Sequence, residues 1–260
     1  MHSAPSFEQA PGLFQLLAHD IRWNLVTLLV RSDYRGQELV RLLKLPQNLV
    51  SYHLKMLSGQ GLVTERRSNA DERAIYYSLN VDVLRTLYST SGASLHPALQ
   101  MNDLPEKEDI SSHHSKRTHV LFLCTHNSAR SQMAEGILRQ LGGGSIEVAS
   151  AGSHPTQPHP LAIKALETLG IDISQQRSKH LDEMKAKPFD YVVTVCDHVR
   201  EVCPPFPGDP ERMHWSFADP AQVEGSDDVR YQAFERTAQQ MITRVRSLLA
   251  LFEQEKREAH

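Results

Sequence analysis

The sequence predicts two domains of different class: a mainly α winged helix-turn-helix with a β-wing, then an α/β domain with a four-stranded parallel sheet flanked by helices. Three observations predict this. Up to about residue 97, apolar residues recur at helical spacing, as in "GLFQLLAHDIRWNLVTLLV" and "NLVSYHLKMLSGQGLV". From residue 118 onward, short strand-like runs alternate with helical ones, the pattern that builds parallel sheets. Between them, "LQMNDLPEKEDISSHHSKRT" is polar and charged with no apolar period, so 98–117 reads as a linker between domains at 1–97 and 118–260.

The elements follow in order. "GLFQLLAHDIRWNLVTLLV" reads as helical, and "GQELVRLLKL" with "NLVSYHLKML" reads as helix, turn, helix. "VTERRSNADERAIYYSL" alternates around polar turn residues and predicts a two-stranded wing, followed by a helix over "VDVLRTLYS". In the second domain "HVLFLC", "IEVASAG", "FDYVVTVCD" and "MHWSF" are the strands. "SQMAEGILRQL", "PLAIKALETLG" and "YQAFERTAQQMITRVRSLLALF" are the helices, and no internal repeat is present.

Composition bounds the function. At 260 residues, with 40% hydrophobic and 23% charged, the chain is long enough for two ordinary folded domains. No apolar stretch approaches the length of a bilayer span, and "MHSAPSFEQAPG" lacks a basic region followed by an apolar one. A cytoplasmic location with no membrane partner is expected. Through residue 97 there are 10 Lys+Arg against 8 Asp+Glu, and after it 18 against 23. Only the first domain leans toward a nucleic-acid partner. All three cysteines (Cys124, Cys196 and Cys203) fall in the second domain. An odd count in a reducing compartment argues for thiol chemistry rather than a disulfide framework.

The stretch "CTHNSARSQ" ends a predicted strand at Cys124 and starts a helix near Ser131. A strand, a short loop and a helix start converge backbone N–H groups and the positive helix end on one point, an anion cradle. The loop residues Thr125, His126, Asn127, Ser128 and Ala129 would line it, with Arg130 as a bidentate clamp on a tetrahedral oxyanion. The same field favours a thiolate at Cys124 and makes it the nucleophile. Ser131 is positioned to donate to that sulfur, and Asn127 to brace the loop through its amide. The bland alternative, a buried cysteine near a surface arginine, lacks the strand–loop–helix setting and the downstream acid.

"CDHVREVC" sets Cys196 and Cys203 seven positions apart. Zinc is a poor reading, because Cys-x6-Cys has no second ligand pair. Two inert buried cysteines remain an alternative on spacing alone, and an activated Cys124 shifts the balance to a thiol relay. The polar "DHVRE" between them is expected to supply mobility. In the first domain, Val50, Leu54 and Leu57 share one helix face. Gln47, Asn48, Ser51, Tyr52, His53 and Lys55 are the candidates for base and phosphate contacts, with Arg66, Arg67 and Arg73 on the wing. A small interaction domain with a solvated basic surface is the competing reading.

The run "CTHNSARSQMAEG", with "SAG" at 150–152, "VVTVCD" at 192–197, "CPPFPG" at 203–208 and "HWSFADPA" at 214–221, resembles the low-molecular-weight protein tyrosine phosphatase superfamily. Within it, the sequence is similar to the thioredoxin-coupled arsenate reductases. That resemblance implies Asp219, before Pro220, as general acid, and a relay in which Cys124 attacks arsenate, Cys196 attacks Cys124, and Cys203 takes the disulfide. It implies thioredoxin as reductant and no bound cofactor. Two positions depart from the pattern. Ala129 stands where some relatives have a cysteine. Asn127, Glu135 and Ser150 match a potassium site of some relatives, whose aspartate position holds Lys179 here, so no potassium dependence is expected. Residues 10–88 resemble the ArsR-type winged-helix repressors through "LAHDIRWNLVTLLV" and "LVSYHLKMLSGQGLV". This implies operator DNA as partner and a homodimer through the helices around "FQLLAHDI" and "VDVLRTLYS". "DYRGQELVRLL" has no cysteine, and His2, His19, His53 and His96 are scattered, so no metal or metalloid site is expected in this domain. The competing readings are a phosphatase fused to a DNA-binding module and a non-catalytic repressor that binds arsenite through its three cysteines.

Overall fold

The computed structural model describes residues 12–96 and 117–258. His2 and the expected linker, except for Arg117, lie outside the described residues. Two separate apolar cores are present, one built from residues of the first half and one from residues 120–252.

The first half runs α1 (Gly12–Leu17), α2 (Asp20–Arg31), β1 (Tyr34–Arg35), α3 (Gly36–Leu43), α4 (Gln47–Gly59), β2 (Val63–Arg67), β3 (Ile75–Leu79) and α5 (Val81–Leu95). Val50, Leu54 and Leu57 of α4 are buried against Leu25, Leu29 and Leu39, as their helical spacing predicts. The turn into α4 is made by Lys44, which caps α3 in a left-handed conformation at φ 54°, and by Pro46 at the helix entrance. β2 and β3 pair antiparallel with Glu65 opposite Tyr77, and β1 joins the far side of β3. α1 packs on α5.

The second half runs β4 (Thr118–Cys124), α6 (Arg130–Gly142), β5 (Ile146–Gly152), α7 (Pro160–Glu167), β6 (Tyr191–Thr194), α8 (Asp197–Val202), β7 (Glu211–His214) and α9 (Asp227–Glu258). Its four strands are all parallel, in the order β5-β4-β6-β7. β4 lies inside the sheet, and Val120 to Cys124 are buried without interruption, as a strand covered on both faces requires. The carboxyl ends of β4 and β6 lie side by side, where Leu123 pairs with Thr194. That edge is where an open parallel sheet opens a crevice for ligands. Among the described residues, no helix is long and apolar enough to cross a membrane.

Candidate active site

The site grows from the end of β4. After Cys124 the chain turns through Thr125–Ala129 and enters α6 at Arg130, one residue before the expected helix start. Asn127 takes φ 45°, a left-handed conformation that asparagine tolerates better than most residues. Its side chain is fully used. Nδ2 donates to Ser131 Oγ and to Ser150 Oγ, both at 2.8 Å, while Oδ1 accepts from Lys179 N at 2.8 Å and from Gln132 Nε2 at 3.1 Å. Gly152, at the end of β5, lets the loop approach: a Cβ there would sit 2.6 Å from Thr125 O and 2.8 Å from Asn127 N.

Cys124 Sγ, buried at the base of the loop, accepts from Asn127 N–H at 3.1 Å and lies 2.9 Å from Ser131 Oγ. Ser131 Oγ also accepts from Asn127 Nδ2, and between the hydroxyl and the sulfur either atom can be the donor. Arg130 closes the opposite wall. Its guanidinium donates to Asp219 Oδ2 at 2.7 Å and to Phe217 O at 3.2 Å. Asp219 also accepts from Ala221 N at 3.2 Å, which fixes the Asp-Pro turn. Cys124, His126, Ser128, Ala129, Arg130 and Asp219 line a cleft of about 160 Å³. The nucleophile, the loop amides, the clamp and the acid predicted from the sequence therefore meet at one cleft.

The potassium-type set is also assembled, with its own cation. Ser150 Oγ bonds Glu135, and Lys179 Nζ reaches Glu135 Oε2 at 3.2 Å. A fixed ammonium and a metal ion cannot share one buried carboxylate without repulsion, so these residues do not fit a resident potassium ion. Among the described residues, no cluster of three or more His, Cys, Asp or Glu is arranged to hold a metal.

Cys196 ends the segment after β6 and is buried, with its Sγ 3.3 Å from Thr125 Oγ1 of the loop. Burial pushes its thiol up; Arg130 draws it down and the neighbouring Cys124 adds to the rise. Cys203, half-buried, is likewise pushed up by burial. The "DHVRE" stretch between them, expected to supply mobility, is the helix α8, with Cys196 as its N-cap and Cys203 as its C-cap.

In the first half, Gln47, Asn48, Ser51, Tyr52 and Lys55 are exposed on α4, and Arg67 and Arg73 are exposed on the wing. Two predicted DNA contacts need correction. His53 is buried, because its spacing from Val50 and Leu57 puts it on the core face, where its ring meets His19 at 4.3 Å. Arg66 turns inward to the other half, donating to Ser216 O at 2.9 Å and pairing with Asp197. Taking Arg66 away would leave the buried Asp197 carboxylate without its charge partner, which is costly.

Sequence reasoning missed the residues behind these. Gln132 Nε2 and Ser178 Oγ brace Asn127 O at 3.0 and 2.6 Å. Asp197 is surrounded by Arg66, Asn69, His214 and Ser216. Burial alone would raise its carboxyl, but hydrogen bonds from His214 and Arg66 hold it well below the usual carboxylate range. His214 is pushed down by burial against that pull. Only the position of Asp197 directly after a relay cysteine hinted at a role.

Residues 119–258 match the family of low molecular weight phosphotyrosine protein phosphatases, and residues 19–65 match the bacterial regulatory proteins of the arsR family. An arsenate reductase of Halalkalibacterium halodurans is 42% identical over 128 residues, covering 49% of this chain and 92% of that protein. An arsenate reductase of Bacillus subtilis is 39% identical over 127 residues, covering 49% and 91%. A solved structure of an arsenate reductase in the oxidized state is 33% identical, covers 51% of this chain and 97% of that chain, and superposes with a TM-score of 0.46. The chain therefore belongs to the low molecular weight phosphotyrosine protein phosphatase family, with an arsR-family helix-turn-helix domain fused ahead of it.

Proposed function

We propose that the second half is a thioredoxin-coupled arsenate reductase and that the first half is an operator-binding regulator of the same resistance response. The observation that carries the reductase reading is the thiol set: a buried Cys196 against the loop of Cys124, with Cys203 one short helix away. A phosphate-ester hydrolase needs Cys124, Arg130 and Asp219 and has no use for the other two sulfurs. The arsenate reductases among its relatives support the same choice.

The Cys124 thiolate attacks arsenic held by the loop amides and Arg130, while Asp219 gives a proton to the departing oxygen, which leaves as water. Ser131 steadies the thiolate before attack. The Cys196 thiolate then attacks Cys124 Sγ. The sulfur–sulfur bond forms, the sulfur–arsenic bond breaks with its pair left on arsenic, and arsenite departs as As(III). Cys203 attacks Cys196 Sγ and frees Cys124 as thiolate. A dithiol protein restores Cys196 and Cys203, and the half-exposed Cys203 supports thioredoxin in that role.

On the DNA side, the exposed Gln47, Asn48, Ser51, Tyr52 and Lys55 support major-groove contact, with Arg67 and Arg73 reaching the phosphates. Exposed Phe14 on α1 and Tyr88 on α5 support a homodimer through those helices. The test is arsenate-dependent NADPH oxidation with thioredoxin and its reductase, comparing wild type with Cys203→Ser and following p-nitrophenyl phosphate cleavage alongside. Loss of turnover in the variant with ester cleavage retained is expected. Ester cleavage without arsenate turnover in the wild type would promote the phosphatase reading.

A further inference from the structure

We propose that the relay is also the sensor for the DNA-binding half: α8 is a clasp on the winged helix that opens when Cys196 and Cys203 join. This rests on the thiol relay proposed above. Three of the six residues of α8 bond to the other half. Asp197 pairs with Arg66 and accepts from Asn69 N at 2.9 Å, so it holds the wing at the tip end of β2 and in the turn that follows. Arg200 donates to Glu38 of α3 at 2.9 Å, with its guanidinium 5.1 Å from the Tyr76 ring centre on β3. Glu201 pairs with Arg35 just ahead of α3.

Helix geometry makes the coupling unavoidable. Cys196 and Cys203 cap the two ends of α8, so seven steps of ~1.5 Å set their Cα atoms about 10 Å apart. A disulfide needs that separation to be under ~7 Å. The helix must therefore unwind as the bond forms, and Asp197, Arg200 and Glu201 leave their partners. In that step Cys203 attacks Cys196 Sγ, the Cys196–Cys203 bond forms, and the pair from the broken Cys124–Cys196 bond stays on Cys124. No net electrons move, because arsenic has already taken two. A dithiol reductant then resets the helix.

The first half has no cysteine of its own, since all three lie at 124, 196 and 203. Through the clasp it reads arsenate turnover nonetheless. In the reduced chain the wing and the start of α3 are held in one arrangement. In the oxidised chain they are released and must be ordered again on DNA, which weakens binding.

The test uses the full chain without arsenate. Diamide oxidation forms the Cys196–Cys203 bond, verified by the linked peptide in mass spectrometry, and hydrogen exchange is followed over residues 34–38 and 63–79. Exchange there should rise at least tenfold on oxidation. Cys203→Ser treated identically should show no rise, and reduced Arg66→Gln should already exchange like the oxidised wild type at the wing. Affinity for the DNA fragment upstream of the chain's own coding sequence should fall at least threefold on oxidation. A proven disulfide with unchanged exchange, or with equal or tighter DNA binding, would overturn the clasp. Absent arsenate turnover would sink the reductase reading alone, because no step of this experiment uses arsenate.

Discussion

The loop after β4 and the helix after β6 leave neighbouring parallel strands at the same edge of the sheet, yet they are supported in different ways. Among the described residues, every side chain bracing the loop at Asn127 comes from the second half: Ser131, Gln132, Ser150 and Ser178. α8 divides its bonds between the halves: Val199 lies in the second core, Arg200 and Glu201 turn to the first half, and Asp197 bonds Arg66 and Asn69 of the first and His214 and Ser216 of the second. Chemistry that needs a fixed cradle is braced within one domain. Chemistry that needs a segment to move is braced across two, where the bonds that break carry information.

The largest effect should come from the loop's nucleophile. Cys124→Ser is expected to lower both arsenate reduction and phosphate-ester cleavage by ~10³-fold or more, as removal of a catalytic nucleophile does. Rates in the two assays check this. If ester cleavage survived, the cradle would not be the shared centre. The next effect tests rigidity. Gly152→Ala drives a Cβ into Thr125 O and Asn127 N, so activity should drop by ~10²-fold, the size expected for a displacement near 1 Å. A stable variant of normal kcat would show that the loop yields.

Much of the loop was legible in the sequence because its signals are local. A strand, a turn and a helix start within "HVLFLCTHNSARSQ" fix where Cys124, Arg130 and Ser131 meet. Asp219 was legible only through its Asp-Pro resemblance, since 89 residues separate it from its Arg130 partner. The four parallel strands followed from alternating periodicity. The clasp was not legible, because docking between two halves leaves no period in either. Arg66 read as a phosphate contact for the sound reason that exposed wing arginines meet DNA, and His53 shows that a helix position's face outranks its polarity. The helix in "DHVRE" was not legible because a six-residue helix rich in charge has no apolar stripe to announce it.

A smaller effect probes the cation beside the loop. Wild-type rates should be equal in sodium and potassium chloride, because Lys179 already neutralises Glu135. Lys179→Ala should lower stability by about 1–2 kcal/mol, less than a lone buried charge costs because Arg139 also pairs with Glu135. Denaturant midpoints in both salts measure this, and a potassium-stimulated wild type would contradict it.

The smallest effect is on pH. His214 is pushed down by burial in the folded chain, so as pH falls below its ordinary value of 6.5 the unfolded chain binds a proton first and stability declines. Asp197, also held low, adds a second decline as pH falls below 3.8. Melting temperatures from pH 7.5 to 5 should therefore fall, and His214→Gln should flatten that slope. A steeper slope in the variant would reverse the assignment.

The central claim is that one chain carries a complete two-electron relay. Its most direct test is a single turnover without any external reductant. The fully reduced chain, with three free thiols, is mixed with excess arsenate, and arsenite, residual thiols and linked peptides are counted. One arsenite per chain, one remaining thiol and a Cys196–Cys203 peptide are predicted. Arsenate bound with all three thiols intact and no arsenite released would contradict the account.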